Sequence, residues 1–317
     1  MLTRVLYSSD VHSSETVFMK FLNAAKTYQV SALIMGGDLT GKIIVPIIKG
    51  ADGTYTAKLL GTQVTARSPE EVTKLEASIR YNGFYPYHTD AKGVEELNLD
   101  KAKLDSLFDQ LMKEMMERWV RIAGERLKDV DCKAYIMPGN DDPKWLGDLI
   151  GSSSKVINPE GQVVQLDASH EMVSCGFSNP TPWNSPRELP EEKLAEMLDN
   201  MTSKVSRMST AVFNFHCPPY NCGLDEAPQL DKDLKPVVKA GSGIQMIPVG
   251  STAIRTCIEK NQPMMALHGH IHESRGETRI GRTTCFNPGS EYSEGTLRGL
   301  LVNFDEKGIK NRLFVSG

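Results

Sequence analysis

The sequence predicts an α/β fold, and three observations predict it. Leu2–Tyr7 and "SALIM" (31–35) are short apolar runs of strand type. Between them Val17, Phe18, Phe21, Leu22 and Ala25 recur at helical spacing within 14–28, so the chain begins as strand, helix, strand. Third, the later runs "CKAYIM" (132–137), "TAVFNFH" (210–216) and "PMMAL" (263–267) repeat the pattern, and each core run stops in a polar loop. Open α/β sheets build their sites at the carboxyl ends of strands.

The elements follow in order. After the second strand comes a long interruption. Ile43–Lys49 and Tyr55–Leu60 flank "GADG", a hairpin signal. Ser68 and Pro69 suit the N-cap and first turn of a helix, and the charged face of "RSPEEVTKLEASIR" reads as solvated. Residues 100–128 have the pattern of a long amphipathic helix, with the methionines of 112–116 assigned to packing. Residues 41–130 therefore read as a cap-like insertion within a single domain, 1–317. Beyond Gly151 the chain is β-rich. Val163–Leu166 and 170–177 form a second hairpin pattern, and "LPEEKLAEMLDNM" is a helix entered through Pro190. Residues 217–245 are irregular, with Pro218, Pro219, Pro228 and Pro236, and are a candidate substrate loop. A helix near 251–260 precedes "PMMAL", and 275–316 alternates short strands with turns.

Bulk properties exclude several classes. A chain of 317 residues with net charge −4 has no dominant electrostatic grip on nucleic acid or an anionic membrane. The six cysteines (132, 175, 217, 222, 257, 285) include no CxxC pair, which fits reduced thiols of a cytoplasmic protein. The start runs straight into a strand, so no signal peptide is expected, and no apolar run approaches the ~20 residues that span a bilayer.

The chemistry concentrates in "MALHGHIHES" (265–274). The chain has 7 histidines, and three of them (His268, His270, His272) fall here at every second position. A buried imidazole must pair both a donor and an acceptor, so three together fit a metal better than a core. The other strand ends supply partners: Asp10 and His12, Asp38, Asn140 and Asp141, and His216. Taken singly, each has a blander reading. Asp10 with Ser13 or Ser14 would cap a helix, Asp38 and Asn140 would form turns, and His216 would be structural. These readings would all have to hold at once. The oxygen and nitrogen donors suit Mn, Fe or Zn in a site unlike a cysteine-rich structural zinc.

The ordered motifs "SDVH", "GGDLTG", "PGND", "NFH" and "HGHIH" resemble those of the calcineurin-like metallophosphoesterases. The resemblance runs from residue 10 to 272 and implies a two-sheet β-sandwich flanked by helices. It also implies two metal ions. Asp10, His12, Asp38 and His270 would hold one, and Asp38, Asn140, His216 and His268 the other, with Asp38 bridging. Metal-bound hydroxide would attack phosphorus, and Asp38, Asn140, Asp141 and His216 would be the catalytic set. Many members carry Gly-Asn-His where this chain has Asp141. An ionised aspartate repels a phosphate dianion unless it pairs with a metal, Arg or Lys. That tilts the expectation toward a phosphodiester, with His272 or His88 as stand-ins for the missing histidine. "NPGSEY" (287–292) falls near such sites in the family, although a plain turn explains it as well.

The expected activity is thus a metal-dependent phosphoesterase acting on a small-molecule phosphate ester. The alternatives are a phosphomonoesterase acting on a small metabolite or nucleotide and, from another class, a non-catalytic metal-binding scaffold. A scaffold would be expected to have broken ligands, whereas all seven positions here carry suitable residue types. A nuclease fits less well, because no Lys/Arg-rich groove segment is evident.

Overall fold

The computed structural model describes residues 2–151, 153–239, 241 and 243–317. The first βαβ unit is as expected: β1 (Thr3–Ser8), α1 (Glu15–Thr27) and β2 (Ala32–Met35), with β1 and β2 parallel. Ser14 sits at the N-cap, but its hydroxyl donates to the Tyr81 carbonyl rather than capping the helix.

The interruption forms β3 (Ile44–Lys49), β4 (Tyr55–Leu59), β5 (Thr62–Ala66), α2 (Pro69–Tyr81), β6 (Tyr85–Thr89), α3 (Ala91–Leu99) and α4 (Lys101–Leu127). Its strands make a separate four-stranded sheet in the order β5-β4-β3-β6. That sheet and α2 bury Val45, Ile47, Ala57, Leu75 and Ile79 in a small core of their own. Ser68 caps α2 by accepting from the Glu71 N–H. Helix α4 has a different role. Its Met115, Met116, Trp119, Val120 and Ala123 pack with Phe18 and Phe21 of α1 in the main core. The rings of Phe18 and Trp119 stack at 4.1 Å, and Phe18→Ala would cost about 3–5 kcal/mol.

The chain then returns to the first sheet with β7 (Lys133–Ile136), α5 (Leu146–Ile150) and β8 (Val156–Ile157). The second sheet takes β9 (Val163–Gln165) and β10 (Glu171–Cys175), an antiparallel pair. After α6 (Glu191–Thr202) comes β11 (Val212–Phe215), and then β12 (Glu226–Pro228), β13 (Val238–Lys239), β14 (Gly243–Ile244) and β15 (Met246–Pro248) form small antiparallel ribbons. The chain closes with α7 (Thr252–Asn261), β16 (Met265–Leu267), β17 (Gly276–Ile280), β18 (Thr283–Asn287), β19 (Arg298–Asp305) and β20 (Gly308–Ser316).

Two six-stranded sheets result, β20-β19-β1-β2-β7-β8 and β17-β18-β16-β11-β10-β9. Strand alternation sorts the side chains between layers. Val5, Tyr7, Ala32 and Ile34 point from the first sheet toward Met172, Val212, Met265 and Phe286 of the second. Leu6, Leu33 and Met35 point the other way, onto α1, α4 and α5. On the far side Val173, Phe213 and Ala266 meet Leu194 and Leu198 of α6 and Ile254 and Ile258 of α7. The architecture is a β-sandwich between helical layers. The strands β1, β2, β7, β11 and β16 end at the loops that carry the polar motifs. No helix among the described residues is long and apolar enough to cross a membrane.

Candidate metal centre

The predicted residues converge. Asp10, His12, Asp38, Asn140, His216 and His268 are all buried, at 0–4% exposure. Bringing the loops together demands unusual backbone. Asp10, His12, Ser13, Asp38 and His270 all have left-handed φ, between 38° and 66°, a conformation that costs non-glycine residues energy and clusters at functional sites. Glycine is required where the loops cross. A Cβ on Gly139 would overlap the Asp38 backbone and carboxylate, and one on Gly269 would overlap Ser9 and Asp10.

The imidazoles are oriented from behind. His268 donates from Nδ1 to the carbonyls of Phe215 (2.8 Å) and Cys217 (3.1 Å). His216 donates to Gly36 O (2.8 Å), and His12 to Thr40 O (3.2 Å). Carbonyls only accept, so each Nδ1 carries the proton and each Nε2 presents a lone pair inward, the tautomer that ligates metal. The Nε2 of His268 is buried with no hydrogen-bond partner. The Nε2 of His216 faces acceptors only, Asn140 Oδ1 at 3.0 Å and Asp38 Oδ2 at 3.4 Å. Orphaned and acceptor-facing buried groups are costly unless a cation completes them, so the donor set fits metal ions.

The electrostatics agree. Burial would raise Asp10, but its hydrogen bond to His272 and the charges of His216 and His272 hold it at about 2. Asp38 is likewise held far below the carboxylate range against its burial, chiefly by His216. Burial pushes His268 and His270 down to about 4, leaving both neutral at physiological pH. His216 is the exception: against its burial the Asp38 carboxylate moves it up to about 10, so in the absence of a cation Nε2 also holds a proton, at the place a metal ion would take.

Three groups of potential ligand atoms lie within 4.8 Å of one another: Asp10 with His12 and His272, Asp38 with His216 and His270, and His12 with Asp38 and Asp141. All three draw on residues that the motifs supply, with His272 added. His272, one of the two stand-ins expected for the missing histidine, stands beside Asp10 and His12, with its Nε2 3.5 Å from Asp10 Oδ1. His270 groups with His216 rather than with Asp10 and His12. His268 belongs to none of the three groups, and its Nε2 is buried without a hydrogen-bond partner.

Other residues were not foreseen. Asp142 is fully buried and accepts from the backbone N–H groups of Leu39, Thr40 and Gly139 and from the Thr40 hydroxyl. It ties the Asp38 loop to the Asn140 loop, and burial together with the Asp38 charge raises it to about 6. Asp141 forms an ion pair with Lys42, and its other oxygen accepts from Ser185 Oγ at 2.6 Å. Tyr292 packs on His12 at 4.6 Å, and Ser290 Oγ donates to Asp10 O at 2.7 Å, so "NPGSEY" braces the site. His88 takes no part. It pairs with Glu76 at 2.7 Å and is absent from the described residues lining the cleft.

The centre forms the floor of a cleft of about 940 Å³. Of the described residues of the insertion, only Lys42 lines it. The walls come from residues 179–191 and 220–250, so the loop at 217–245 stands at the cleft as expected, while the insertion is turned largely to its own core and α1.

The two-sheet sandwich with this donor set at its strand ends is the arrangement that the motifs' resemblance to the calcineurin-like metallophosphoesterases implies, and the chain belongs to one family with an archaeal relative. Over 177 residues it is 33% identical to the uncharacterized protein MJ1162 of Methanocaldococcus jannaschii, covering 55% of this chain and 72% of that one. No protein-family model matches the chain. The protein TT1561 of Thermus thermophilus shares the fold, with TM-score 0.53 and 13% identity over 100% of this chain and 99% of that one. A second solved structure aligns at TM-score 0.58 and 16% identity over 99% of both chains.

Proposed function

We propose that the protein is a dinuclear-metal phosphoesterase acting on small phosphate esters, with a phosphodiester preferred over a monoester. The observation that carries this is that His12, Asp38, Asn140 and His270 line the floor of an open cleft, with Asp10 and His216 grouped with them from below. Mn, Fe or Zn ions held by these residues would supply Lewis acidity and a nucleophile drawn from water. The rest falls to the chain. Asp38 reaches both halves of the site, Asn140 and His216 face each other across it, and Asp142 sets the loops from below.

Lys42 changes the argument about Asp141. The ammonium neutralises the carboxylate, so Asp141 does not repel a phosphate as a bare charge would. The diester preference therefore rests on the space beyond the floor, which takes a second substituent. Lys42 is the only Lys or Arg among the described residues lining the cleft, which favours a small molecule over a polynucleotide. The absence of CxxC pairs and the burial of five of the six free thiols fit a cytoplasmic setting.

The test is hydrolysis of bis(p-nitrophenyl) phosphate and p-nitrophenyl phosphate side by side with Mn²⁺, with Asp38→Asn as control. Diester turnover that exceeds monoester turnover and vanishes in the variant supports the reading. Monoester preference overturns the diester choice. Bound metal without turnover of either ester points to the scaffold alternative.

A further inference from the structure

We propose that the wall of the cleft is an apolar subsite that seats an alkyl or aryl substituent of the phosphodiester, which excludes a sugar or a second phosphate. This rests on the phosphoesterase reading above and names the substrate class within it. The wall is made by two segments. One is 179–185, with Pro180, Pro182 and Trp183; the other is the β12–β15 ribbon and its flanks, with Pro228, Ile247 and Pro248. Proline has no N–H, so a wall rich in it offers hydrocarbon and few donors. Its φ is also fixed, so the wall loses little entropy when it takes a ligand.

The polar side chains of the 179–185 segment are already engaged, and the unengaged ones in the lining, Gln229, Tyr220 and Thr252, stand on the opposite flank. Asn179 donates to Val249 O and accepts from Cys217 Sγ. Thr181 donates to Glu188, and Ser185 to Asp141. Glu191 accepts from Ser251 Oγ (2.7 Å), Thr252 N–H (3.0 Å) and Ala253 N–H (2.8 Å), at the start of α7. Against the 179–185 segment a ribose would meet few free partners and would lose its hydrogen bonds to water. A second phosphate would find no cation among the described lining residues beyond Lys42, which is held by Asp141. An apolar group has the opposite balance. Trp183 is 63% exposed and Tyr220 39%, and both line the cleft. An exposed tryptophan beside a metal centre, with a run of prolines around it, is hydrocarbon surface awaiting cover.

Three diesters that share one leaving group test this on the Mn²⁺-loaded protein: methyl, octyl and thymidine 5′-(p-nitrophenyl) phosphate. The octyl ester is expected to exceed the methyl ester by at least about tenfold in kcat/KM, mostly through KM, because burying methylenes is favourable. The thymidine ester gains no such advantage. Trp183→Ala, an exposed position, collapses the octyl-to-methyl ratio to a few fold. Binding supplies the independent readout, as calorimetric titration with methylphosphonate and octylphosphonate. Tighter octylphosphonate binding without any turnover would sink the phosphoesterase reading and leave the subsite standing. Equal binding and equal turnover of the two alkyl esters, or a thymidine ester preferred over the octyl ester, overturns the subsite.

Discussion

On the floor of the cleft, Asp10, Asp38, Asn140, His216 and His268 leave the ends of five strands and are buried at 0–2%. Backbone carbonyls align the two imidazoles, and Asp10 and Asp38 have left-handed, strained backbone. On the wall, Trp183 is 63% exposed, the ribbons are two to three residues long, and prolines add stiffness to the hydrogen bonds. The floor gives up stability, because carboxylates and imidazoles are gathered away from water in a form that a metal completes. The wall gives up nothing comparable and is free to vary in what it accepts. On the proposed function, the floor would set the chemistry and the wall the choice of substrate.

The largest expected effects come from disturbing the floor. A ligand that binds only the native state stabilises it by about 2.7 kcal/mol at a hundred times its Kd. Chelation should therefore lower the melting temperature of the Mn²⁺-loaded protein by several degrees. His268→Ala should reduce kcat/KM by more than about 10³-fold, about 4 kcal/mol of transition-state stabilisation, and shrink the melting gap between loaded and chelated protein. A variant that keeps both would remove the floor from the chemistry. Gly139→Ala comes next. Its Cβ would press on Asp38, and a displacement of about 1 Å is worth up to about 10²-fold in rate. Unchanged kinetics there would mean that the loops have slack the packing does not show.

Most of the floor could be read from the amino acids because strand ends announce themselves. An apolar run that stops at Asp, Asn or His is visible without a structure, and five such runs in order constrain one another. The same reading missed Asp142, although the second acid of "PGNDDP" was the signal. Its partners, Leu39 and Thr40, lie more than a hundred residues away, and no spacing rule reaches that far. Lys42 was missed for the same reason: its relation to Asp141 exists only once β2 and β7 are neighbours. In the insertion, β6 went unseen because "YPYHT" carries Pro86 and His88, and it forms by pairing with β3 across α2. The amphipathic face of α4 was legible, with its methionines assigned to packing, but not which core it meets, which is that of α1.

The boundary between floor and wall runs through Lys42 and Asp141. Removing the cation in Lys42→Ala leaves the carboxylate facing the substrate. The monoester, with its extra charge, should lose about tenfold in kcat/KM and the diester less. Asp141→Asn added to Lys42→Ala should recover most of the monoester loss, since the variant pair removes the repulsion together with its counter-charge. Strict additivity of the two changes would show that the ion pair does not shape the field at the phosphate.

The smallest effect separates the two regions by their local stability. Burial pushes the Cys175 and Cys222 thiols up to about 12, and raises Cys217 further still. A raised thiol pKa keeps the neutral form through pH 8, so all six cysteines should label slowly with a thiol reagent there, and faster only as pH climbs toward the raised values. Cys222 lies on the wall loop and is partly exposed, whereas Cys217 follows His216 beneath the floor and is fully buried. Segments with few buried contacts open at a lower free energy than the core. Mass spectrometry of partially labelled protein should therefore find Cys222 modified first, and Cys217 only at the rate of global unfolding. Metal should slow Cys217 further and leave Cys222 nearly unchanged. If the two thiols labelled together, floor and wall would open as one unit, and the wall could not vary its ligand without disturbing the metal centre.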